Sequence, residues 1–407
     1  MKTLVLIVLA ALVGTARAAP GEPRPASEIA ALLAGAEPGA TVRVPPGVYR
    51  GPLAIDRPVR LEGGGRVTID GGGQGDVVVI TAGGVEMRGF TIRGTGHQLY
   101  QENAAVRVTG GPVVIEDNVL EDVLFGIDLH SSPGSVIRGN TISSKPLDLG
   151  VRGDAIRLWW SADAVVEDNH VRGARDVIVW YSERVAVRRN TVEDGRYGLH
   201  SMYSKHLTME ENVLRDNSVG VYLMYSKDVV IRRNTLAGNR GPSGYGLGLK
   251  DSDDVLCEDN LIAKNRAGIF VDNTPFTIGT YGRFTRNVIA FNDIGVSMAP
   301  SARRNEVWSN AFLENEEQVA VLGRGNLEQN AFSLGGVGNF WSDYPGYDLD
   351  ADGVGDLPYR AASLFEDLMG REPKLRLFVN GPAQQAVDLA ARALPSVRPE
   401  PKFEDPA

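Results

Sequence analysis

The residues of greatest chemical interest are one histidine and two methionines near the middle of the chain. His200 and Met202 are two positions apart, and Met224 follows 22 positions after Met202. Thioether sulfur binds soft ions such as Cu(I) well and hard ions poorly, whereas imidazole nitrogen binds copper in either oxidation state. A repeating fold that brought these side chains to one face would therefore create a soft-metal site. The alternative is that the methionines only fill gaps against a covering loop or a partner.

A second group of candidate ligands lies in the acidic segment 348–356. Carboxylates at alternate positions followed by glycine match the first half of an EF-hand-type calcium loop, in which Gly353 would allow the sharp turn. The predicted ligands are Asp348, Asp350, Asp352 and Asp356. The twelfth position is Tyr359 rather than glutamate, so the match is partial. We expect either a small structural calcium loop or a merely acidic turn.

The elements that must position these residues are indicated by asparagines that recur at a nearly constant spacing. Most neighbours in the series are 21 to 23 residues apart, and each follows a short β-type run. Such repetition is typical of a solenoid, in which no single coil can bury its own apolar face. Asparagine side chains stack from coil to coil and accept tight-turn backbone angles. The series is Asn118, Asn140, Asn169, Asn190, Asn212, Asn234, Asn260, Asn287 and Asn310.

Serines about eight residues before these asparagines give the coils a common frame. In this frame Met202 and Met224 occupy the same position of successive coils. Neighbouring parallel strands lie about 4.8 Å apart, and alternate residues of one strand about 6.6 Å, so the methionines should stack with His200 beside Met202. These outward positions are expected to face solvent, whereas Met209 and Cys257 fall in a core column. The serines are Ser132, Ser161, Ser182, Ser204, Ser226 and Ser252.

The repeat predicts an all-β fold, a right-handed parallel β-helix of the pectate-lyase type. A short helix near Ser27 to Leu33 should cap the first coil, and the repeat fades after about Gly338. We predict a signal peptide at 1–18, the β-helix domain at 19–345 and the acidic loop at 346–361. Residues 362–407 should form a partly helical C-terminal extension that ends in a mobile, Pro-rich acidic tail.

The first residues predict the compartment. Lys2, an apolar run from Leu4 to Val13 and a small-residue ending at Ala18 have the layout of a cleavable secretory signal. No later stretch approaches the roughly 20 apolar residues of a membrane-spanning helix. The single cysteine excludes an internal disulfide framework, so packing must supply the stability. The net charge of −9 disfavours nucleic acid and polyanionic sugars as partners.

Three segments carry a family resemblance. The coils Tyr197–Ser204 and Gly220–Ser226, which read Tyr-Gly-Leu-His-Ser-Met-Tyr-Ser and Gly-Val-Tyr-Leu-Met-Tyr-Ser, resemble the copper-binding NosD family of nitrous oxide reductase maturation proteins. The segment Gly338–Tyr344, with its Trp-Ser-Asp-Tyr sequence, resembles the C-terminal signature of that family. The resemblance extends over nearly the whole mature chain.

The resemblance implies a periplasmic protein that helps to assemble the copper-sulfur centre of nitrous oxide reductase. Its expected partners are the ATPase and permease of an ABC transporter, nitrous oxide reductase and a periplasmic copper chaperone, with membrane contact only through the permease. The expected cargo is copper, as Cu(I), and the protein is expected not to be an enzyme. The assignment of His200, Met202 and Met224 as ligands comes from the coil frame, not from the family.

Two other functions compete with copper handling. Many exported β-helices are polysaccharide lyases, epimerases or hydrolases, which need a base, a charge-neutralising cation and typically paired carboxylates. Asp128 and Arg157, joined by Asp154 and Lys250, are the outward residues that could supply them. Aromatic residues such as Trp159, Trp160 and Trp180 would then be sugar platforms, although an interface explains them better. The other alternative is a docking scaffold that binds no metal.

Overall fold

The parallel β-helix predicted from the repeat is confirmed. A computed structural model of the chain describes residues 22–323, 325–344, 346–379, 381–394 and 400–406. The predicted signal peptide at 1–18 lies outside these ranges. One face of the solenoid is a twelve-stranded parallel sheet, in which each strand pairs with the corresponding strand of the next coil. Its strands are Leu53–Ile55, Val78–Ile80, Ala104–Val108, Phe125–His130, Ile156–Trp159, Asp176–Trp180, Tyr197–Met202, Val219–Met224, Tyr245–Lys250, Ala267–Asp272, Ile294–Met298 and Glu317–Val321.

The other two faces belong to a twenty-four-stranded sheet that turns a corner at the asparagines. In most coils one strand precedes the asparagine and one follows it. The strands are Arg24–Pro25, Thr41–Arg43, Gly47–Arg50, Arg60–Asp70, Val85–Arg93, Val113–Glu116, Val119–Val123, Val136–Arg138, Thr141–Ser144, Val165–Glu167, His170–Arg172, Ala186–Arg188, Thr191–Glu193, Lys205–Glu210, Val213–Arg215, Lys227–Arg232, Thr235–Ala237, Asp253–Glu258, Leu261–Ala263, Gly282–Thr285, Val288–Ala290, Asn305–Trp308, Ala311–Leu313 and Phe340–Trp341.

Apolar side chains from all three faces fill the interior of the solenoid. Met209 and Cys257 are 1% and 0% exposed and belong to this core, as the frame predicts. Ser201, which interrupts an apolar column, is also buried, and its Oγ lies 2.8 Å from Oγ of Ser226. Burial of this continuous core supplies the stabilisation that the chain cannot obtain from disulfides.

Polar ladders occupy the corners between the faces. Each predicted ladder asparagine donates from Nδ2 to Oδ1 of the next over 2.9 to 3.1 Å, and the ladder continues to Asn339. The serine column forms a shorter ladder; for example, the backbone N–H of Ser161 donates to Oγ of Ser182. A second asparagine ladder, which the sequence analysis overlooked, lies five positions after the first. It contains Asn217, Asn239, Asn265, Asn292 and Asn315.

Short helices occur at both ends of the solenoid. The helix Ser27–Ala34 lies at the predicted position and buries Ile29 and Leu33 against the first coils. The C-terminal extension contains the helices Leu364–Arg371 and Pro382–Ala393. 3₁₀ helices form at Leu99–Gln101, Leu149–Val151 and Pro373–Phe378.

The last described residues close the C-terminal end of the β-helix. Glu404–Asp405 pairs antiparallel with Tyr359–Arg360, and Phe403 is buried against Phe332. A carboxylate oxygen of Asp405 accepts hydrogen bonds from Nδ2 of Asn339 and from other groups of the last coil. Residues 400–406 of the predicted tail therefore pack against the final coil and supply hydrogen-bond partners to it.

Candidate metal site

The strands Tyr197–Met202 and Val219–Met224 bring the three predicted copper ligands to one outer face. They pair in parallel, with Met202 opposite Met224 and His200 opposite Tyr222. Opposed residues of such strands lie about 4.8 Å apart, and both methionine side chains are half-buried. The register of the two strands is the one that the serine frame predicts.

His200 is only 6% exposed, so the expectation that it faces solvent is wrong. Its ring leaves the core but is flanked by the rings of Tyr197, edge-on with a centroid separation of 5.0 Å, and Tyr222, at 6.3 Å. Nδ1 lies 3.0 Å from Oδ2 of Asp176 on the preceding coil. Nε2 is buried and has no hydrogen-bond partner among the described residues. A ring with one nitrogen on a carboxylate and the other free has the arrangement common to metal-ligating histidines.

The buried carboxylate of Asp176 is paired with the partly exposed guanidinium of Arg196. Arg196 contacts both of its carboxylate oxygens, at 2.9 Å for the Oδ1 contact. Burial raises the pKa of Asp176, but hydrogen bonds from His200 and Arg196 outweigh it and hold that pKa below its ordinary value. Asp154, one coil earlier, is bound in the same way by Arg175 at 2.9 and 3.2 Å. Burial and the neighbouring Asp176 raise the pKa of Asp154 to about 6.

A second charged cluster lies on the same face, nearer the N-terminus. Oxygens of Glu102 and Asp128 and a ring nitrogen of His130 lie within 4.8 Å of one another. Arg157 fills this cluster: its guanidinium contacts Asp128 at 2.8 and 2.9 Å and Glu102 at 2.6 and 2.8 Å. Arg107 also pairs with Asp128. Despite burial, which raises it, hydrogen bonds from His130 and Arg157 lower the pKa of Asp128 to about 2.

These contacts weaken the case for a carbohydrate-directed enzyme. The proposed pair of Asp128 and Arg157 does form, but it is buried, with exposures of 0% and 2%. Asp128 is bound further by Arg107 and His130, and Arg157 by Glu102. Asp154 is paired with Arg175 instead of joining them. Lys250 lies opposite Met224, several coils away. The arrangement therefore presents no free acid and base beside each other at these four positions.

Aromatic side chains cover the turn beside the metal candidates. Trp160, Tyr181, Tyr203 and Tyr225 stack in sequence, with centroids 4.8 to 5.2 Å apart and interplanar angles of 5 to 8°. Because each inner ring covers the faces of its neighbours, the column presents mainly ring edges. Sugar platforms need exposed faces, so this geometry favours a structural or interface role. In a parallel column Trp159 stacks on Trp180, whose buried Nε1 has no hydrogen-bond partner in the described ranges.

The acidic loop is exposed and organised by its own carboxylates. Oxygens of Asp348, Asp350 and Asp352 lie within 4.8 Å of one another. Oδ2 of Asp356 accepts a hydrogen bond from the backbone N–H of Leu349 over 2.7 Å. Gly353 adopts a positive φ of 88°, which provides the sharp turn predicted at that position. The first three aspartates are thus gathered, whereas Asp356 closes the base of the loop.

Asp176 is the residue of the candidate site that sequence analysis missed. The position six residues before the ladder serine is glycine in most central coils, including Gly126, Gly198 and Gly220. In the coil that precedes His200 this position holds Asp176, and the strand register shifts between Asp176 and Ile178. The sequence could have revealed Asp176, because a carboxylate stands there at a position that is glycine in most other central coils. The prediction of outward-facing positions did not include this one.

Comparison of the sequence with known proteins indicates a family. The family described as "Periplasmic copper-binding protein (NosD)" matches residues 143–346. The chain is 31% identical to the "Probable ABC transporter binding protein NosD" of Pseudomonas aeruginosa over 371 residues, 86% of this chain and 84% of that protein. A protein of the same name from Stutzerimonas stutzeri is 28% identical over 379 residues, 88% of this chain and 84% of that protein.

A solved structure with the same fold is the A-module of the mannuronan C-5 epimerase AlgE6 from Azotobacter vinelandii. The TM-score is 0.60 at 16% identity, over 76% of this chain and 93% of that module, which indicates a shared architecture only. In the described ranges, every helix is too short or too polar to cross a lipid bilayer. The extent and identity of the sequence matches establish the relationship, and the chain belongs to the NosD family.

Proposed function

We propose that this protein is a periplasmic copper-handling protein that binds Cu(I) through His200, Met202 and Met224. The observation that carries the proposal is Nε2 of His200, a buried nitrogen without a partner. Its ring is held by a carboxylate, and the two thioethers lie on the same face of the sheet. One imidazole and two thioethers form a ligand set that favours Cu(I) over hard ions. The protein acts in this proposal as a binding protein, not as an enzyme.

Anaerobic titration with Cu(I) against a competing chelator tests this site. The mature protein should bind one Cu(I), and His200→Ala, Met202→Leu and Met224→Leu should each weaken the binding. Met209→Leu is the matched control, since Met209 is buried in the core away from the site. Circular dichroism establishes that each variant is folded. Absence of binding, or binding that is indifferent to the three site variants, would contradict the proposal and favour a metal-free docking scaffold.

The proposed role is assembly of the copper-sulfur centre of nitrous oxide reductase. In this role the protein receives copper from a periplasmic copper chaperone and acts with the ATPase and permease of an ABC transporter. The description of the matching family and the names of its two relatives support copper and transporter binding. Nitrous oxide reductase produced in cells that carry the His200→Ala variant in place of the wild-type protein should lack the visible absorption of a copper-sulfur centre. A normal spectrum would contradict the role.

We assign contact with the permease to the C-terminal extension, residues 362–407. Among its described residues, four large apolar side chains are more than half exposed: Leu377, Phe378, Leu389 and Leu394. Leu377→Glu combined with Leu389→Glu should abolish co-purification with the permease. Leu334→Glu, on an exposed leucine outside the extension, is the control. Deletion of the whole extension is a poorer test, because it also removes Asp405 from the end of the ladder.

The acidic loop is proposed to bind a structural calcium ion through Asp348, Asp350 and Asp352, with Asp356 bound directly or through water. Calcium in excess should raise the melting temperature of the wild-type protein, because an ion that binds only the folded state stabilises it. Asp350→Asn should remove most of that increase, whereas Asp163→Asn, on a distant exposed turn, should preserve it. An unchanged melting temperature in the presence of calcium would contradict the calcium site and would favour the alternative, an acidic turn that binds no ion.

A further inference from the structure

The feature behind this inference is the contact between Asp176 and the ring of His200. The Asp176 carboxylate is fully buried, and its Oδ2 lies 3.0 Å from Nδ1 of His200. An ionised carboxylate only accepts hydrogen bonds, so the proton of a neutral His200 ring must lie on Nδ1. Nε2 then carries a lone pair, and this is the nitrogen that has no partner among the described residues. Asp176 therefore decides which ring nitrogen is available for a ligand.

Arg196 engages the Asp176 carboxylate and so competes with a metal ion for it. Its guanidinium contacts Oδ1 and Oδ2, so both oxygens of the carboxylate are occupied by Arg196 and His200. The walls around the imidazole are the rings of Tyr197 and Tyr222. Met202 lies two positions after His200 on the same face, and Met224 is the partner of Met202 on the next strand. The carboxylate oxygens of Asp176, of the kind that hard divalent ions favour, are thus already engaged by protein donors.

From this arrangement, and resting on the copper-binding function proposed above, we infer that Asp176 is a positioning residue that fixes the Nδ1-protonated tautomer of His200 and restricts the site to soft monovalent ions, Cu(I) and Ag(I). Zn(II) prefers four ligands from nitrogen, oxygen and thiolate groups, and Cu(II) prefers nitrogen and oxygen in a tetragonal array. One imidazole and two thioethers satisfy neither ion.

The first experiment is long-range ¹H–¹⁵N NMR on ¹⁵N-histidine-labelled protein without metal. The chain has five histidines, and His200→Ala identifies the resonances of His200. The wild-type ring should show the proton on Nδ1 and a free lone pair on Nε2, and Asp176→Ala should shift the population toward the Nε2-protonated form. Asp176→Asn, whose amide oxygen can still accept from Nδ1, should largely restore the wild-type tautomer. A wild-type ring protonated on Nε2 would overturn the inference.

The second experiment is titration of the same proteins with Ag(I), Zn(II) and Cu(II), with Ag(I) as a redox-stable probe of the soft site. Wild-type protein should bind Ag(I) and neither divalent ion at the three residues. Asp176→Ala should weaken Ag(I) binding by roughly 10- to 100-fold, as loss of the hydrogen bond behind a ligating histidine commonly does. Asp154→Asn is the matched control, because Asp154 is equally buried and bound by an arginine but contacts no histidine.

The two experiments separate the inference from the proposed function. If the tautomer is as expected but wild-type protein binds no Ag(I), the copper site is wrong while Asp176 still positions the ring. If Ag(I) binds at His200 with equal affinity in wild-type and Asp176→Ala, the copper site stands and the positioning role is overturned. Tight Zn(II) binding that requires His200 would overturn the restriction to monovalent ions.

Discussion

At the scale of single residues, the two kinds of buried polar side chain in this protein differ in how completely they are bonded. Asn212 is fully buried and uses both ends of its amide, donating to Val187 and Asn234 and accepting from Asn190. His200 is bonded on one side only. A buried group without a partner destabilises the fold, and such groups concentrate where a protein binds something. The contrast is consistent with the proposed ligand role of His200 and with a structural role of Asn212.

Removal of a ladder asparagine should be costly. Asn212→Ala leaves donors of Asn190 and the carbonyl of Val187 without their partners, so we expect a loss of about 3 kcal/mol or more in the free energy of unfolding. Urea denaturation measures it. Asn326→Ala, at an exposed position off the ladder, should change stability by no more than about 0.5 kcal/mol. Equal effects of the two changes would contradict the structural role of the ladder.

Asp128 should make stability depend on pH in the acid range. Its folded-state pKa of about 2 lies below the ordinary value of 3.8. A lowered carboxylate pKa contributes stability that is complete above the unfolded-state pKa and is lost as pH falls through the folded-state pKa. The contribution is about 2 kcal/mol. We expect the urea concentration at the unfolding midpoint, measured from pH 7 to pH 2, to decrease mainly between about pH 4 and pH 2.

The control for this window is Asp128→Asn. It should be less stable at pH 7, because Arg157 loses a buried partner, and its remaining stability should decline less between pH 4 and pH 2. An acid decline as steep as that of the wild-type protein would show that other carboxylates are responsible.

At the scale of elements, the coils approach each other so closely that certain positions exclude any side chain. A Cβ at Gly220 would lie 2.6 Å from the carbonyl oxygen of Gly246 in the next coil. Gly220→Ala should therefore destabilise the protein by about 1 to 3 kcal/mol through forced backbone shifts. Gly150 has no atom within 4 Å of an added Cβ, so Gly150→Ala is the matched control. Thermal denaturation of both variants, with the control unchanged, checks the prediction.

The sequence predicts the strands and their register well, because identical side chains must stack from coil to coil. The first asparagine ladder, the serine column and the core positions of Met209 and Cys257 follow from that periodicity. The burial of His200 does not follow, since it depends on aromatic side chains contributed by neighbouring coils. Asp176 was missed for a related reason: its place in a glycine column marks it as unusual, but only the local register shift places it beside His200, and the repeat does not predict that shift.

At the scale of the whole molecule, stability depends on how the solenoid ends, because each coil contacts only its neighbours. Asp405 accepts hydrogen bonds from the backbone and side chain of Asn339 and from Nε1 of Trp341, at 2.9 to 3.0 Å. Asp405→Ala should lower the melting temperature and increase hydrogen exchange first in the last coils. Glu404→Ala, which removes a surface contact with Arg360, is the control and should cost no more than about 1 kcal/mol.

Uniform loss of protection along the chain of the Asp405→Ala variant would contradict this prediction. It would mean that the coils unfold as one unit and that the C-terminal cap has no local effect.

The asparagine ladder also gives the solenoid an electrical direction. Each ladder asparagine donates one Nδ2–H to the next coil on the C-terminal side, and each Oδ1 accepts from the coil on the N-terminal side, from Asn118, whose Oδ1 accepts from the backbone N–H of Phe90, to Asn339. The aligned amide dipoles add along the axis, as peptide dipoles do in a helix. Their positive end meets the carboxylate of Asp405. The last residues of the chain therefore act as a fixed counter-charge for a spine of dipoles that spans most of the molecule.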